Sequence, residues 1–249
     1  MKIYEECFST RYHEMGIDHL LRVQCICNYM EEAAGKHAEI LGAGIERLER
    51  DKLAWVLAKM RLDLVRRPGP LEEVRIATWP VKAERLQFRR DFIMYGAGDK
   101  VLATAVTQWV VMGLESRKLE RFPLYIKEME PENPPLAQED GDIRIAAVPA
   151  DGVEGPVFPV RLADIDQNRH VNNGRYVDFA LESADILGAG QNGESLHRLD
   201  VLFRAEGLRG DIIASRALAE PDAPGSFIHS LYRQDSGQEL ARARTVFTA

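Results

Sequence analysis

The stretch Leu102-Ala103-Thr104-Ala105-Val106-Thr107 has a counterpart near the end of the chain, Leu240-Ala241-Arg242-Ala243-Arg244-Thr245. A second pair of similar stretches lies upstream, because Met60–Arg67 resembles Arg198–Arg204 and both contain the tripeptide Arg-Leu-Asp. The two pairs occur in the same order along the chain. They predict that the sequence contains two copies of one structural plan.

In each copy an apolar stripe at helical spacing comes before a group of strand-like segments. The stripe residues are Ile26, Met30, Ala33 and Leu41 in the first copy, and Val177, Leu181, Ala184 and Leu187 in the second. Gly42 and Gly188 follow as stop signals. The predicted strands are Met60–Leu64, Val74–Trp79, Leu86–Tyr95, Val101–Met112, Ile212–Leu218, Phe227–Arg233 and Glu239–Phe247. One long helix that covers several antiparallel strands, twice over, is an α+β arrangement.

A change in composition separates the copies. Met129–Gly155 contains prolines among several acidic residues, which is typical of a solvated connector. We therefore predict an N-terminal unit over 1–128, a linker over 129–155 and a C-terminal unit over 156–249.

Composition excludes several classes of protein. The chain has 249 residues, of which 45% are hydrophobic and 29% charged, as expected of a globular protein with two domains. Its apolar stretches, such as Trp109–Met112, are far shorter than the roughly 18 residues of a membrane span, and no signal segment is evident, so a cytoplasmic location is expected. The net charge of −7 disfavours nonspecific binding to nucleic acid. The three cysteines are odd in number and lack zinc spacing, so neither a disulfide framework nor a structural metal is expected.

The segment whose side chains are most suited to catalysis is Asp164–Asn173, which contains carboxylates, a histidine and side-chain amides. Part of this polarity is explained structurally, since Asn172 or Asn173 is suited to cap the second helix and Asp and Asn favour turns. A calcium loop is excluded because its sixth and twelfth positions are Arg169 and Arg175 instead of Gly and Glu.

The internal repeat favours a functional interpretation of this segment. Aligning Glu32 with Glu182 places Leu20 opposite His170 and Asp18 opposite Asn168. A motif needed only for helix entry would be expected in both copies. A polar set present once indicates a single active centre in the second copy.

Asp164–Tyr176, together with Leu181–Ala184, closely resembles the C-terminal signature of the acyl-acyl carrier protein (acyl-ACP) thioesterases. The likeness extends to the first half of the chain, through Trp55-Val56, Arg89–Phe92 and Trp109–Met112. The resemblance therefore covers nearly the whole sequence. It implies two tandem hotdog units, each a long helix wrapped by an antiparallel sheet.

The same resemblance implies hydrolysis of fatty acyl thioesters, which releases free fatty acid from its carrier protein without a cofactor. The acid–base residues of the family match Asp166, Asn168, His170 and Glu206. Many family members carry Cys after this glutamate. Here the residue is Gly207, so a thiol nucleophile at this place is excluded.

The residue types suggest a division of roles. Glu206 would deprotonate a water molecule and His170 would share the proton transfer. Asn168 would donate a hydrogen bond, Asp166 would orient one of these groups, and the start of the second helix would stabilise the oxyanion.

The first copy lacks this polar set and is expected to bind the acyl chain, with Trp55, Leu57, Met60 and Trp79 as candidate lining residues. The carrier protein implied as partner is acidic, so a basic docking surface is expected. Lys82–Arg90 and Lys59–Arg67 each hold four basic residues and one acidic residue, although either cluster taken alone is better explained as a solvated strand face. A monomer and a homodimer are both compatible with two hotdog units in one chain.

Three alternatives stay open at this point. A thioesterase acting on coenzyme A thioesters would use the same four residues. A hotdog dehydratase is disfavoured because its His-x-x-Gly-x-Pro segment is absent. A non-catalytic acyl-binding hotdog protein would not explain why the polar residues are present in the second copy alone.

Overall fold

The computed structural model describes residues 3–127, 136, 143–190 and 193–248, with Lys82 and Glu84 described by backbone alone. Two compact units are present. Unit 1 comprises residues 1–60 and 64–141, and unit 2 comprises residues 61–63 and 142–249. About half of the predicted linker, 129–135 and 137–142, lies outside the described residues, as does residue 128.

Unit 1 is an antiparallel sheet with one long helix. Its strands are β1 (Tyr4–Ser9), β2 (Leu53–Leu64, with residues 61–63 counted in unit 2), β3 (Glu73–Glu84), β4 (Gln87–Tyr95), β5 (Val101–Gly113) and β6 (Leu119–Glu120). Its helices are α1 (Val23–Ile40), α2 (Ile45–Arg50) and α3 (Leu124–Lys127). The strand order is β1-β3-β4-β5-β2, and β6 pairs with β5.

Unit 2 repeats this plan. Its strands are β7 (Val153–Pro159), β8 (Ser195–Phe203), β9 (Ile212–Ala219), β10 (Ser226–Arg233) and β11 (Glu239–Thr248), and its long helix is α4 (Asn173–Asp185). The strand order, β7-β9-β10-β11-β8, matches that of unit 1 strand for strand. The prediction of two tandem hotdog units of α+β type is therefore confirmed.

The two long helices form because their apolar residues recur every three or four positions. In α1 the residues Ile26, Met30 and Ala33 are buried, and this face packs on β1 and β3. In α4 the corresponding face includes Val177 and Ala184 and packs on β7, β9, β10 and β11. No helix among the described residues is long and apolar enough to cross a membrane.

The described parts of the connector are packed at some positions and exposed at others, such as Arg144 and Asp151. Ile143, Ile145 and Val148 are buried against Ile228 of unit 2. In unit 1 the Leu136 N–H donates to Asp91 Oδ2 at 2.7 Å. Strand β7 begins at Val153, inside the segment predicted as linker.

Phe92 in unit 1 and His229 in unit 2 occupy equivalent register positions facing the helix. Phe92 lies opposite Ala105, and His229 lies opposite Ala243. His229 is fully buried, and its Nε2 lies 2.9 Å from the Thr245 hydroxyl, which allows a hydrogen bond. Burial lowers the pKa of His229 to about 3. The imidazole is therefore neutral in the folded protein at neutral pH.

We expect His229 to make the protein acid-sensitive. Below about pH 6 the unfolded chain takes up a proton at this histidine that the folded chain does not, so the free energy of unfolding falls by about 1.4 kcal/mol per pH unit. His229→Phe, which introduces the residue found at the equivalent position 92, should flatten the slope of unfolding free energy against pH by that amount in urea titrations. His197→Phe, at an exposed position, is the control. An unchanged slope in His229→Phe would contradict the prediction.

Candidate active site

A tight turn before α4 carries the polar segment. The Asp166 N–H donates to the carbonyl of His170 at 3.0 Å, which closes the turn. Arg169 has a φ of +67°, in the left-handed region, so the chain reverses immediately before His170. Asp166 Oδ1 accepts the Asn168 N–H at 2.8 Å, the hydrogen bond of an Asx turn. Short-range hydrogen bonds thus fix the place from which the imidazole projects.

The turn leads directly into the N-terminus of α4. Asn172 is the N-cap, as expected, and its Oδ1 accepts the Gly174 N–H at 2.8 Å. Asp164 is 2% exposed and forms ion pairs with Arg161 and Arg175, each at 2.9 Å. Hydrogen bonds from Arg161 hold the pKa of Asp164 below its usual range. Asp164 is therefore an anionic anchor at the base of the turn.

Glu206 lies on the segment that follows β8 and faces His170. The Val171 N–H donates to the carbonyl of Gly207 at 2.9 Å, which joins the two segments next to both side chains. His170 Nε2 is 3.4 Å from Glu206 Oε1, and the two side chains are 28% and 27% exposed. The imidazole and the carboxylate are thus neighbours, and both side chains are partly exposed.

The four predicted site residues have different surroundings. The structure brings His170 and Glu206 together, although they are far apart in sequence. Asp166 lies on the same turn, where its carboxylate binds the backbone of Asn168. Asn168 is exposed on this turn. Asp166 therefore acts on the conformation of the turn.

Sequence reasoning missed two residues that hold Glu206. The Gly207 N–H donates to Tyr176 Oη at 2.9 Å, and Arg233 Nη2 donates to the carbonyl of Glu206 at 3.0 Å. Tyr176 belongs to the family-like segment, and Arg233 ends a correctly predicted strand. Both residues lie in segments that the sequence pattern singled out, but their contacts with residues 206 and 207 depend on how distant segments pack together.

Unit 1 contains the same turn in its backbone. The Gly16 N–H donates to the carbonyl of Leu20 at 2.8 Å, His19 has a φ of +60°, and the Leu21 N–H donates to the carbonyl of Pro68 at 2.7 Å. These contacts correspond one for one to those around His170. The structure therefore identifies Leu20 as the counterpart of His170, as the sequence alignment predicted.

The side chains of the unit 1 turn are of another kind. The contact of Leu21 with Pro68 makes Arg67 the counterpart of Glu206. Arg67 forms an ion pair with Asp18, the counterpart of Asn168. An apolar residue and an ion pair thus replace the imidazole and carboxylate, and of the two copies only the second brings this pair together.

The prediction of a docking surface at Lys82–Arg90 is wrong for two of its four basic residues. Arg89 and Arg90 are buried, at 8% and 5% exposure. Arg89 forms a bidentate ion pair with the buried Asp91 at 2.7 and 2.8 Å, and Arg90 contacts His37 Nδ1 at 3.1 Å. These charges stabilise the interior of unit 1 and are not available to a partner. The side chain of Lys82 lies outside the described residues.

The second basic cluster is largely neutralised by carboxylates. Arg66 binds Glu72, and Arg67 binds Asp18. Arg61, which belongs to unit 2, forms a bidentate ion pair with Asp200 of the same unit at 2.6 and 3.0 Å. Three of the four basic residues of this cluster are therefore paired with carboxylates of the chain.

The candidate acyl-lining residues separate into different clusters. Trp55 packs with Phe88 and Phe122, whereas Trp79 packs with Ala77 and Val81. The two tryptophans therefore belong to different hydrophobic clusters of unit 1.

Comparison with known families accounts for both units. A model of the acyl-ACP thioesterase N-terminal domain matches residues 1–128, and a model of the C-terminal domain matches residues 151–249. The chain belongs to the acyl-ACP thioesterase family. In this acyl-ACP thioesterase family member, the matched C-terminal domain contains the whole His170–Glu206 pair.

Similar proteins within the family differ in the substrates that they are named for. The chain is 29% identical over 98% of its length to a chloroplastic palmitoyl-acyl carrier protein thioesterase of Cuphea hookeriana, and it spans 61% of the length of that relative. It is 28% identical over 97% of its length to an oleoyl-acyl carrier protein thioesterase of Arabidopsis thaliana and spans 76% of that relative.

A solved acyl-ACP thioesterase structure from Bacteroides thetaiotaomicron has the same fold. The two chains superpose with a TM-score of 0.82 at 22% identity, over 99% of this chain and 98% of the other. This likeness supports the fold described above.

Proposed function

We propose that this protein hydrolyses fatty acyl thioesters of acyl carrier protein and releases free fatty acid. The observation that carries the proposal is the His170–Glu206 contact of 3.4 Å in a member of the acyl-ACP thioesterase family. Both groups are partly exposed, so a water molecule and a thioester can reach them.

The proposed reaction begins with water. Its oxygen attacks the thioester carbonyl carbon while Glu206 accepts a proton, with His170 next to the carboxylate as the partner in proton transfer. The carbon–sulfur bond then breaks, and the proton is passed to the departing sulfur. The products are a fatty acid and the free thiol of the carrier. Water is the nucleophile, because the chain has Gly207 where a thiol would stand.

The negative charge on the carbonyl oxygen requires hydrogen-bond donors. The Asn168 amide is exposed on the site turn and is our proposed donor from a side chain. The N-terminal turn of α4 begins two residues after Val171 and supplies the positive end of a helix dipole. Asp166 supports this arrangement by holding the backbone of the turn.

We assign catalysis to unit 2 and acyl-chain binding to unit 1. An open groove of about 750 Å³ in unit 1, lined by Arg85, Leu86, Gln87, Val110 and Leu119, supports this assignment. Three of these side chains are apolar, which suits a hydrocarbon chain. We further propose a cytoplasmic location, whereas the plant relatives described above are named as chloroplastic.

The test is to measure fatty acid released by the purified protein from acyl carrier protein substrates with chains of graded length. Coenzyme A thioesters of the same chains are measured in parallel. We expect faster release from the carrier protein, and release slowed by about 10²- to 10⁴-fold from either substrate with a Glu206→Gln variant. This variant controls for contaminating hydrolases.

Two other outcomes would change the assignment. Faster turnover of the coenzyme A thioesters would make the protein an acyl-CoA thioesterase. Binding of acyl carriers without release of fatty acid would identify a non-catalytic acyl-binding protein.

A further inference from the structure

The backbone groups of Glu206 and Gly207 accept or donate three hydrogen bonds with three different parts of unit 2. Arg233 at the end of β10 donates to the Glu206 carbonyl at 3.0 Å. The Gly207 N–H donates to Tyr176 Oη on α4 at 2.9 Å, and the Gly207 carbonyl accepts from Val171 at 2.9 Å. Every polar backbone group of Gly207 therefore has a partner.

The side chain of Tyr176 is held in position by the residues packed around it. Its side chain is buried, at 3% exposure, and its ring makes edge contacts with Phe179 and Phe203. Burial raises the pKa of Tyr176 to about 12, so the hydroxyl stays neutral at working pH. A Cβ at residue 207 would come within 2.7 Å of Tyr176 Oη. The small residue allows the hydroxyl to approach the backbone this closely.

The first copy provides an internal comparison for these contacts. The contact with Val171 is matched by that of Leu21 with Pro68, so it belongs to the common scaffold. The contact with Tyr176 has no equivalent, because Ile26 stands at the tyrosine position and Pro68 has no N–H to donate.

The contact of Arg233 with the Glu206 carbonyl is also found in unit 2 and not at the equivalent position of unit 1. The Arg233 N–H bonds to the carbonyl of Gln238, and the Gly96 N–H bonds to the carbonyl of Lys100, so Gly96 is the counterpart of Arg233. Glycine has no side chain with which to bind the segment. The contacts from Tyr176 and Arg233 are thus present in unit 2, which carries the glutamate, and have no equivalent among the described residues of unit 1.

We propose that Tyr176 is a positioning residue for Glu206, which it holds at the distance from His170 that the reaction needs. Arg233 supports the same segment through the carbonyl of Glu206. The inference rests on the proposed function. It concerns the placement of the carboxylate, since Tyr176 is buried beneath the segment and binds only its backbone.

The test is Tyr176→Phe, which removes one oxygen and leaves the ring in place. We expect kcat for the acyl carrier substrate to fall about 10- to 100-fold with KM within about twofold, since small displacements of reacting groups have effects of this size. Tyr29→Phe is the matched control. It removes a buried hydroxyl from α1, which donates to Glu14 in unit 1. It should leave kcat unchanged.

Gly207→Ala is a second variant that keeps the tyrosine. Its Cβ displaces the hydroxyl, so we expect the same fall in kcat. Gly35→Ala, whose Cβ would have no neighbour within 4 Å, is its control.

A double variant distinguishes positioning from a general structural role. If Tyr176 acts through Glu206, Tyr176→Phe should cause little further loss in a Glu206→Gln background. Losses that multiply would overturn the inference. Wild-type kcat in Tyr176→Phe, or an equal loss in Tyr29→Phe, would overturn it as well.

Amide hydrogen exchange separates this inference from the proposed function. We expect the Gly207 N–H to exchange faster in Tyr176→Phe than in the wild type, whether or not the protein hydrolyses a thioester. Unchanged protection would refute the positioning contact. Absence of fatty acid release by the wild-type protein would refute the proposed function.

Discussion

Replacing Glu206 with glutamine is expected to lower kcat/KM for fatty acyl carrier substrates by about 10²- to 10⁴-fold, the usual contribution of a general acid–base group. Glutamine keeps the shape of the side chain but cannot accept a proton from water. The fold should be unaffected, because the segment is held through its backbone, by Arg233, Tyr176 and Val171. The measurements are steady-state kinetics and a urea titration of the free energy of unfolding.

Glu182→Gln is the matched control for this change. Glu182 is an exposed carboxylate on α4 in the same unit, so its substitution removes the same charge without touching the site. We expect activity within about twofold of the wild type. Near-wild-type turnover in Glu206→Gln would remove Glu206 from the mechanism.

Replacing His170 with alanine is expected to reduce kcat/KM on the same scale of about 10²- to 10⁴-fold. The reason is the loss of the partner that lies 3.4 Å from the Glu206 carboxylate. The turn does not need the imidazole to form, because the equivalent turn of unit 1 forms with Leu20 at this place. The variant should therefore unfold at nearly the same urea concentration as the wild type.

The control is His19→Ala, which removes an exposed imidazole from the turn of unit 1. Its kinetics should match those of the wild type. The double variant His170→Ala with Glu206→Gln should be little slower than either single variant, because the two groups act as one unit. Full activity in His170→Ala would show that Glu206 works without the imidazole.

The sequence was sufficient to predict most secondary structure, because the burial period is local. The strand predicted over Glu239–Phe247 is observed over Glu239–Thr248, and the helix stop predicted at Gly188 lies close to the observed end at Asp185. The alignment of Leu20 with His170 was also correct.

The alignment of the Arg-Leu-Asp tripeptides was out of register. The bonds of Val65 and Arg204 to the carbonyls of Leu102 and Leu240 show a shift of two residues from that alignment. Since side chains alternate with a period of two along a strand, a shift of two leaves every residue on its original face. The hydrophobic pattern could not detect this error. The sequence alone therefore did not identify Arg67 as the counterpart of Glu206.

The sequence also did not show which distant residues bury a strand. Arg89 and Arg90 resemble solvated strand charges, yet they are buried. The reasons lie in distant residues, since Leu136 binds the Arg89–Asp91 pair and His37 on α1 contacts Arg90. A local pattern does not show which remote segment will cover a strand.

The matching turns of the two units have a consequence for the history of the chain. Leu20, Arg67 and Pro68 occupy the same backbone as His170, Glu206 and Gly207. After a gene duplication, one copy could therefore lose its chemistry by point substitutions while its architecture persisted. Folding and reactivity in this chain are encoded by separable sets of amino acids, so divergence in one need not erode the other.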